Sequence, residues 1–475
     1  MKRWLIAALT LAVIAIATWR FFPRTAAAAR DLTVLFTCDV RGRLVPCGCF
    51  TGQLGGLTRV ATLIGKGPQP GTLKVDIGDA IEGTDDFHQI EYRYIQQAFA
   101  AMGYEALNVG HAEARLSAAE LRKLKTSSPV PMLSANLIDQ STGAPVFDSH
   151  RIVRRGPWRI ALVGVLEPLG TDESLGEGLI VEKMEVVLGK LLPSLKSHAD
   201  FIVLLAFADD AGLRNLAKQF YELDIILGGK VKQPSQDLVR ENRSLILATT
   251  NQSRALGTLG VTLAAPSRVT PVRGEVVLVS DQISQDDEIA ALAATYRDEI
   301  RRTALAIDDP ATLQQDMVPG VKARAAYAGS ASCVACHPSA GKVWQDSSHG
   351  HAWQTLVARK ADADPNCIGC HSVGFGTPSG YRREFGAAKL TNVGCESCHG
   401  PGSQHVAERQ AGGAMTTHFR PIGAGDCQKC HHGEFSRPFD WDSFWPAVRH
   451  GKENAAPAIR PATQAPAAAP VRPGA

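Results

Sequence analysis

Short apolar runs rich in β-branched residues alternate with longer stretches of helical periodicity from Leu32 to about Val279. Eight runs stand out, at 32–37, 73–77, 106–109, 131–135, 160–165, 201–206, 225–227 and 245–249. Strand-sized runs separated by helical stretches predict an α/β (or α+β) layered domain over residues 31–280. Beyond it, DDEIAALAATYRDEIRRTALAI (286–307) places apolar residues at helical spacing and predicts a connecting helix inside a linker over 281–326. A second domain, 327–452, starts near Tyr327.

There the apolar pattern gives out. Residues 327–452 hold 11 Leu, Ile and Val in 126 positions, yet ten of the chain's 14 histidines. So little aliphatic surface does not offset the conformational entropy of folding, and something other than side chains must form the core. The last stretch, 453–475, is mostly Ala and Pro and is expected to be a disordered tail. At the other end, Lys2 and Arg3 precede an apolar run over 4–19 and alanines at 26–29. This is an export signal. It is at the long edge of a signal-peptide core (about 7–15 residues) and short of a membrane span (about 20). Arg20 and Arg24 favour an uncleaved anchor and the alanines favour cleavage, so 1–30 is a signal peptide or an N-terminal membrane anchor. Either way the body is expected outside the cytoplasm, in a bacterial periplasm, held to the inner membrane if the segment stays. A length of 475 residues calls for two or more domains, and a net charge of +3 gives no case for nucleic acid or an anionic membrane surface as partner.

Eight of the 11 cysteines fall in four C-x-x-C-H runs: Cys333/Cys336/His337, Cys367/Cys370/His371, Cys395/Cys398/His399 and Cys427/Cys430/His431. This is the attachment signature of c-type haem, whose vinyl groups take both thiols while the adjacent histidine reaches the iron. Zinc sites and disulfides use paired cysteines too, but neither requires a histidine after every second one. Four covalent haems c also supply the missing core, so the apo form of this domain is not expected to fold. For the sixth ligand, Met415 is the domain's one methionine, which leaves histidine for the other irons; His349, His351, His405, His418, His432 and His450 are spare. Such ligation predicts low-potential haems. An iron left five-coordinate would be open to a small molecule.

The stretches "YAGSASCVACHPS", "SSHGHAWQTL", "GCESCHGPGSQH" and "FDWDSFWPAVRHGK" resemble the tetrahaem c-type cytochrome family that includes the electron acceptor of hydroxylamine oxidoreductase. The resemblance implies closely packed, mainly bis-histidine haems, often with one iron open. Carried to this chain, it makes His349, His405 and His450 the best distal ligands and His351 the weaker fourth.

The front region carries "LTVLFTCDVRG", "GGLTRVATLI", "LKVDIGDAIEG", "MGYEALNVGHAE", "PMLSANLI", "FIVLLAFADD" and "LDIILGGKVK", in the order found in 5'-nucleotidase-like metallophosphoesterases. That resemblance implies a two-metal site with ligands in the patterns D-x-H, G-D, G-N-H, a lone H and G-H-x-H. Asp39 and Asp79 match. Arg41 stands for the first histidine and His111 for the asparagine, while Ala112, Phe207, Lys230 and Lys232 take the places of the other histidines. The dinuclear site is therefore not expected to form, nor ordinary nucleotidase activity to survive. Arg41, Lys230 and Lys232 leave two readings: a pocket for a small oxyanion, or structural ion pairs in a vestigial cleft. Nearby, Cys38, Cys47 and Cys49 sit in "CDVRGRLVPCGC". With His111 or Asp39 the three are candidates for an additional soft-metal site, and Cys47 with Cys49 for a redox pair; buried inert thiols and a structural disulfide are the alternatives.

Together these features predict an exported tetrahaem cytochrome that transfers electrons to or from redox partner proteins, with a degenerate nucleotidase-like domain binding a small anion or partner. Oxidoreductase or electron-transfer chemistry is favoured over hydrolysis. The alternatives are a metal-dependent phosphoesterase with an attached haem module, and a non-catalytic docking module of a membrane redox complex.

Overall fold

The computed structural model describes residues 30–46, 53–170, 173–250, 252–265, 267–309, 326–384, 388–412, 414–432 and 439–451. Residues 1–29, where an export signal is expected, Cys47, Cys49 and the tail expected at 453–475 lie outside the described residues. The chain divides into two compact units between Ala293 and Ala294, inside the helix Asp287–Arg302.

The first unit is built on two six-stranded sheets. In one, β1 (Arg30–Thr37), β2 (Thr72–Asp76), β3 (Ala106–Asn108) and β4 (Met132–Leu133) run parallel, β14 (Ala255–Ala264) pairs antiparallel with β1, and β15 (Arg268–Leu278) pairs antiparallel with β14. In the other, β8 (Trp158–Leu166), β10 (Phe201–Phe207), β11 (Ile225–Gly229) and β13 (Ser244–Ala248) are parallel, flanked by antiparallel β7 (His150–Arg155) and β12 (Val239–Glu241). A small sheet of β6 (Ala144–Pro145), β5 (Leu137–Asp139) and β9 (Leu179–Val181) lies apart from these. Parallel strands covered on both faces lose the polar alternation of half-exposed ones, which is why FIVLLAF in β10 is apolar and buried throughout. Helices Met184–Leu195 and Asp210–Gln219 supply Leu188, Leu192, Leu213 and Leu216 to the core over the second sheet.

The expected strands are present, with changed limits. Over 131–135 two residues pair with β3; then Ser134 N turns to Asp148 O (3.1 Å) and Ala135 N to Gly164 O (2.7 Å), ending the ladder. The helix expected over 286–307 stops at Arg302 and resumes as a 3-10 turn, Ala306–Asp308. The carboxyl ends of the parallel strands open at one rim, the usual place for a site in such sheets.

The second unit consists of short helices, among them Ser330–Val334, Pro338–Asp346, Pro365–His371, Cys395–His399 and Ser403–Ala411. Its hydrophobic cluster is small: Leu356, Ala361, Ile368, Val373, Tyr381 and Leu390. Asp362 pairs with Arg301 (2.8 Å) and Asp308 with Arg383 (3.0 Å), tying helix Asp287–Arg302 and the turn after it to this unit. Among the described residues no helix is long and apolar enough to cross a membrane.

Candidate functional site

In the first unit the strand ends deliver the residues matched above. β1 leads into Cys38, Asp39 and Arg41, β2 into Asp79, β3 into His111, β8 into Glu167 and β11 into Lys230. Asp39, Arg41, Asp79 and Lys230 all adopt left-handed backbone (φ 57°, 42°, 58° and 60°), a costly conformation without glycine that concentrates at functional sites. Backbone bonds from Asp39 N to Gly78 O (2.8 Å) and Arg41 N to Asp79 O (3.1 Å) hold two of these turns.

Every cation matched to this rim except Lys232 faces a carboxylate. Arg41 Nε donates to Asp39 Oδ1, and its Nη2 reaches Asp79 Oδ2 at 3.2 Å. Burial works against the Arg41 charge, but Asp39 and Asp79 together raise its pKa above the ordinary guanidinium range. Lys230 Nζ donates to Glu167 Oε1 (2.5 Å) and lies 3.9 Å from Glu173 Oε2. His111, 4% exposed, has Nδ1 3.0 Å from Glu173 Oε1 and Nε2 2.9 Å from the Glu167 carbonyl oxygen. Both ring nitrogens thus face oxygen atoms of the protein. Phe207 is buried against His111, with ring centroids 5.2 Å apart, and Lys232 is exposed. Among the described residues no group of three or more His, Cys, Asp or Glu side chains is arranged to hold a metal ion.

Asp79 sits deepest. Its Oδ1 accepts from Ala112 N (2.7 Å), and burial followed by the charge of Glu113 pushes its carboxyl up to about 8. Glu113 is itself buried and accepts backbone N–H groups from Asp79, Ala80, Ile81 and Gly110 at 2.7–3.1 Å, clamping two loops of the rim. Cys38 has no exposed surface, and its Sγ donates to Gly78 O at 3.5 Å. Burial, then Asp76, Asp39 and Asp79, push that thiol well above its ordinary range. It is packed as a small apolar side chain. Glu113, Glu167 and Glu173 escaped the sequence reading. For Glu167 the available signal was its place directly after an apolar strand run.

In the second unit long-range folding brings three motif histidines against spare ones. His337 and His405 stack with centroids 6.4 Å apart and planes at 24°. His349 meets His431 at 6.0 Å, and His399 meets His450 at 5.9 Å. Two iron–nitrogen bonds of about 2 Å plus the offset of each ring centre give about 6 Å between axial imidazoles, so these pairs fit an iron between them. Burial, then neighbouring imidazoles, hold His349 and His399 below the usual histidine range, favouring the neutral ring that ligates metals. His371 has Nδ1 2.7 Å from Ala352 O, a contact that orients the ring and leaves Nε2 pointing away from it. His351, expected as the weaker fourth distal ligand, is exposed, and the three ring pairs involve His405, His349 and His450. The Cys333 and Cys395 thiols hydrogen-bond each other, as do those of Cys370 and Cys430, so attachment motifs approach two by two. Phe419, Phe439 and Phe444 lie 5.0–6.0 Å from motif or spare histidine rings, apolar surface of the kind a porphyrin needs.

Residues 332–400 match the family described as cytochrome c554 and c-prime. Cytochrome c-554 of Nitrosomonas europaea is 36% identical over 106 residues, which cover 19% of this chain and 45% of that protein. For the first unit, the 2',3'-cyclic-nucleotide 2'-phosphodiesterase/3'-nucleotidase of Yersinia enterocolitica is 30% identical over 165 residues, 32% of this chain and 25% of that one. Among solved structures, NAD nucleotidase of Haemophilus influenzae aligns with a TM-score of 0.50 at 18% identity, covering 64% of either chain. The chain spans about half or less of the curated relatives it matches. Its second unit thus carries covalently bound haem c, and the chain joins a 5'-nucleotidase-like metallophosphoesterase fold to a segment of cytochrome c554 type.

Proposed function

We propose that the protein is an exported electron-transfer cytochrome with four haems c, carried by a nucleotidase-like module that has given up hydrolysis. The observation that carries this reading is the facing of three motif histidines by His405, His349 and His450 at 5.9–6.4 Å. Cys333/Cys336, Cys367/Cys370, Cys395/Cys398 and Cys427/Cys430 would attach the haems, and His337, His371, His399 and His431 would be the proximal ligands. Bound there, the haems would supply reversible one-electron chemistry at iron, while the chain's own residues orient the histidine rings and bring the attachment motifs close in pairs.

The front module is read as non-hydrolytic because Arg41 and Lys230, standing at former ligand places, are paired with Asp39 and Glu167. Those same pairs favour a module that docks a redox partner over a pocket for a small oxyanion. Protein from a host that matures c-type cytochromes is expected to hold four haems per chain by the pyridine haemochromogen assay. It is also expected to release no phosphate from nucleotides with Mn²⁺ or Zn²⁺ present. Fewer haems would refute the first half, and clear turnover the second.

A further inference from the structure

We propose that Glu396, inside the third C-x-x-C-H run, is a positioning residue for the haem attached at Cys333 and Cys336, acting through His405. The proposal rests on the haem reading above. Glu396 is 4% exposed, and its carboxylate accepts three backbone N–H groups. Oε1 takes those of Ala328 (2.9 Å) and Gly402 (2.7 Å), and Oε2 takes that of Gly329 (2.7 Å).

These donors come from two segments with a common target. Gly329, at φ 90°, caps helix Ser330–Val334, which carries Cys333 and leads to His337. Gly402 precedes helix Ser403–Ala411, which carries His405. Ala326 N donates to Ser403 Oγ (2.9 Å) and Ser403 N to Ala326 O (3.1 Å), while Cys395 N donates to Ser330 Oγ (3.2 Å). One carboxylate therefore sits where the attaching segment of the first motif, the segment of its facing histidine and the third motif converge. The stacked His337 and His405 rings are the result of that convergence.

A carboxylate suits the place because it has acceptor capacity on both oxygens and no donor, and bonds from backbone N–H to a charged acceptor are about twice as strong as neutral ones. Glutamine would keep one acceptor oxygen and turn an amide NH₂ toward a backbone N–H. A staple that merely stabilised the loops would change unfolding without moving an axial ligand.

Glu396→Gln in the full-length holoprotein is expected to keep the parent haem content. One haem should pass partly from low-spin to high-spin in electron paramagnetic resonance and visible spectra, with a shifted midpoint potential. Added to His405→Ala, the same change is expected to alter the spectrum no further, since both act on one iron. Glu396→Asp, which keeps the charge at shorter reach, should show a weaker effect of the same kind, and it carries the test if Glu396→Gln fails to accumulate. Parent-like spectra and potentials, or a fresh spectral change on top of His405→Ala, would overturn the proposal. A parent protein without haem would sink the haem reading as well, whereas a haem-loaded parent indifferent to both Glu396 variants overturns this one alone.

Discussion

Asp79, matched to a metal-ligand position of the nucleotidase pattern, is almost fully buried at the rim. Its carboxyl, raised to about 8 by burial and by Glu113, holds a proton more tightly in the folded chain than in the unfolded one. The linked stability is then complete below the unfolded carboxyl range, near 4, and is lost as pH rises toward about 8. Asp79→Asn is expected to flatten that decline, measured as unfolding free energy from denaturant titrations across the window; an unaltered slope would assign the proton to another group. Arg41→Met removes the cation facing Asp39 and Asp79. Because its side chain is 40% exposed, solvent screening should limit the loss to about 1–2 kcal/mol, against the ~3–5 kcal/mol of a fully buried pair. Asp39, Asp79, Arg41 and Lys230 were all visible in the sequence as matched positions. The pairing of Lys230 with Glu167 and Glu173 was not, because those carboxylates enter the cleft from another loop.

Strands and helices of the front unit depend on similarly distant contacts. Lys74 lies in the middle of β2, where a buried lysine contradicts the apolar run around it. Its ammonium donates to Gly65 O (2.8 Å), Gly67 O (3.0 Å) and Met102 O (2.8 Å), closing the ends of helices Leu57–Ile64 and Asp86–Met102. Carbonyls at a helix end need such partners when water is excluded. Lys74→Met keeps the stem and strips three bonds, so a loss of about 2–4 kcal/mol is expected in thermal or denaturant unfolding. A variant as stable as the parent would mean that water reaches those carbonyls. Periodicity placed the strand correctly because alternation and apolar runs are local; it was silent on Lys74 because the three acceptors lie 7 to 28 residues away.

The two units are stabilised by different means, and that has a consequence for the folded chain. The first has aliphatic cores over both sheets, whereas the second has a cluster of six buried residues and a ring of histidines and aromatics around the attachment motifs. Expressed without haem maturation, the protein is expected to keep a protease-resistant front fragment while residues beyond Ala294 are digested. Equal resistance of both halves would show that the second unit folds on side chains alone.

The attachment chemistry could be read from the residues in order, because each C-x-x-C-H run keeps its thiols and histidine within five consecutive positions. The layered α/β class was legible for the same reason, since apolar runs and helical spacing are short-range properties. The resemblance put forward His349, His405 and His450, but which motif histidine each one meets was not legible: His431 faces His349 across more than eighty residues. The packed Cys38, the closed ion pairs at the rim and the clasp at Glu396 are likewise products of chain folding. Each depends on groups far apart in sequence being brought within hydrogen-bond distance, where burial and charge, rather than residue type, set what a side chain does.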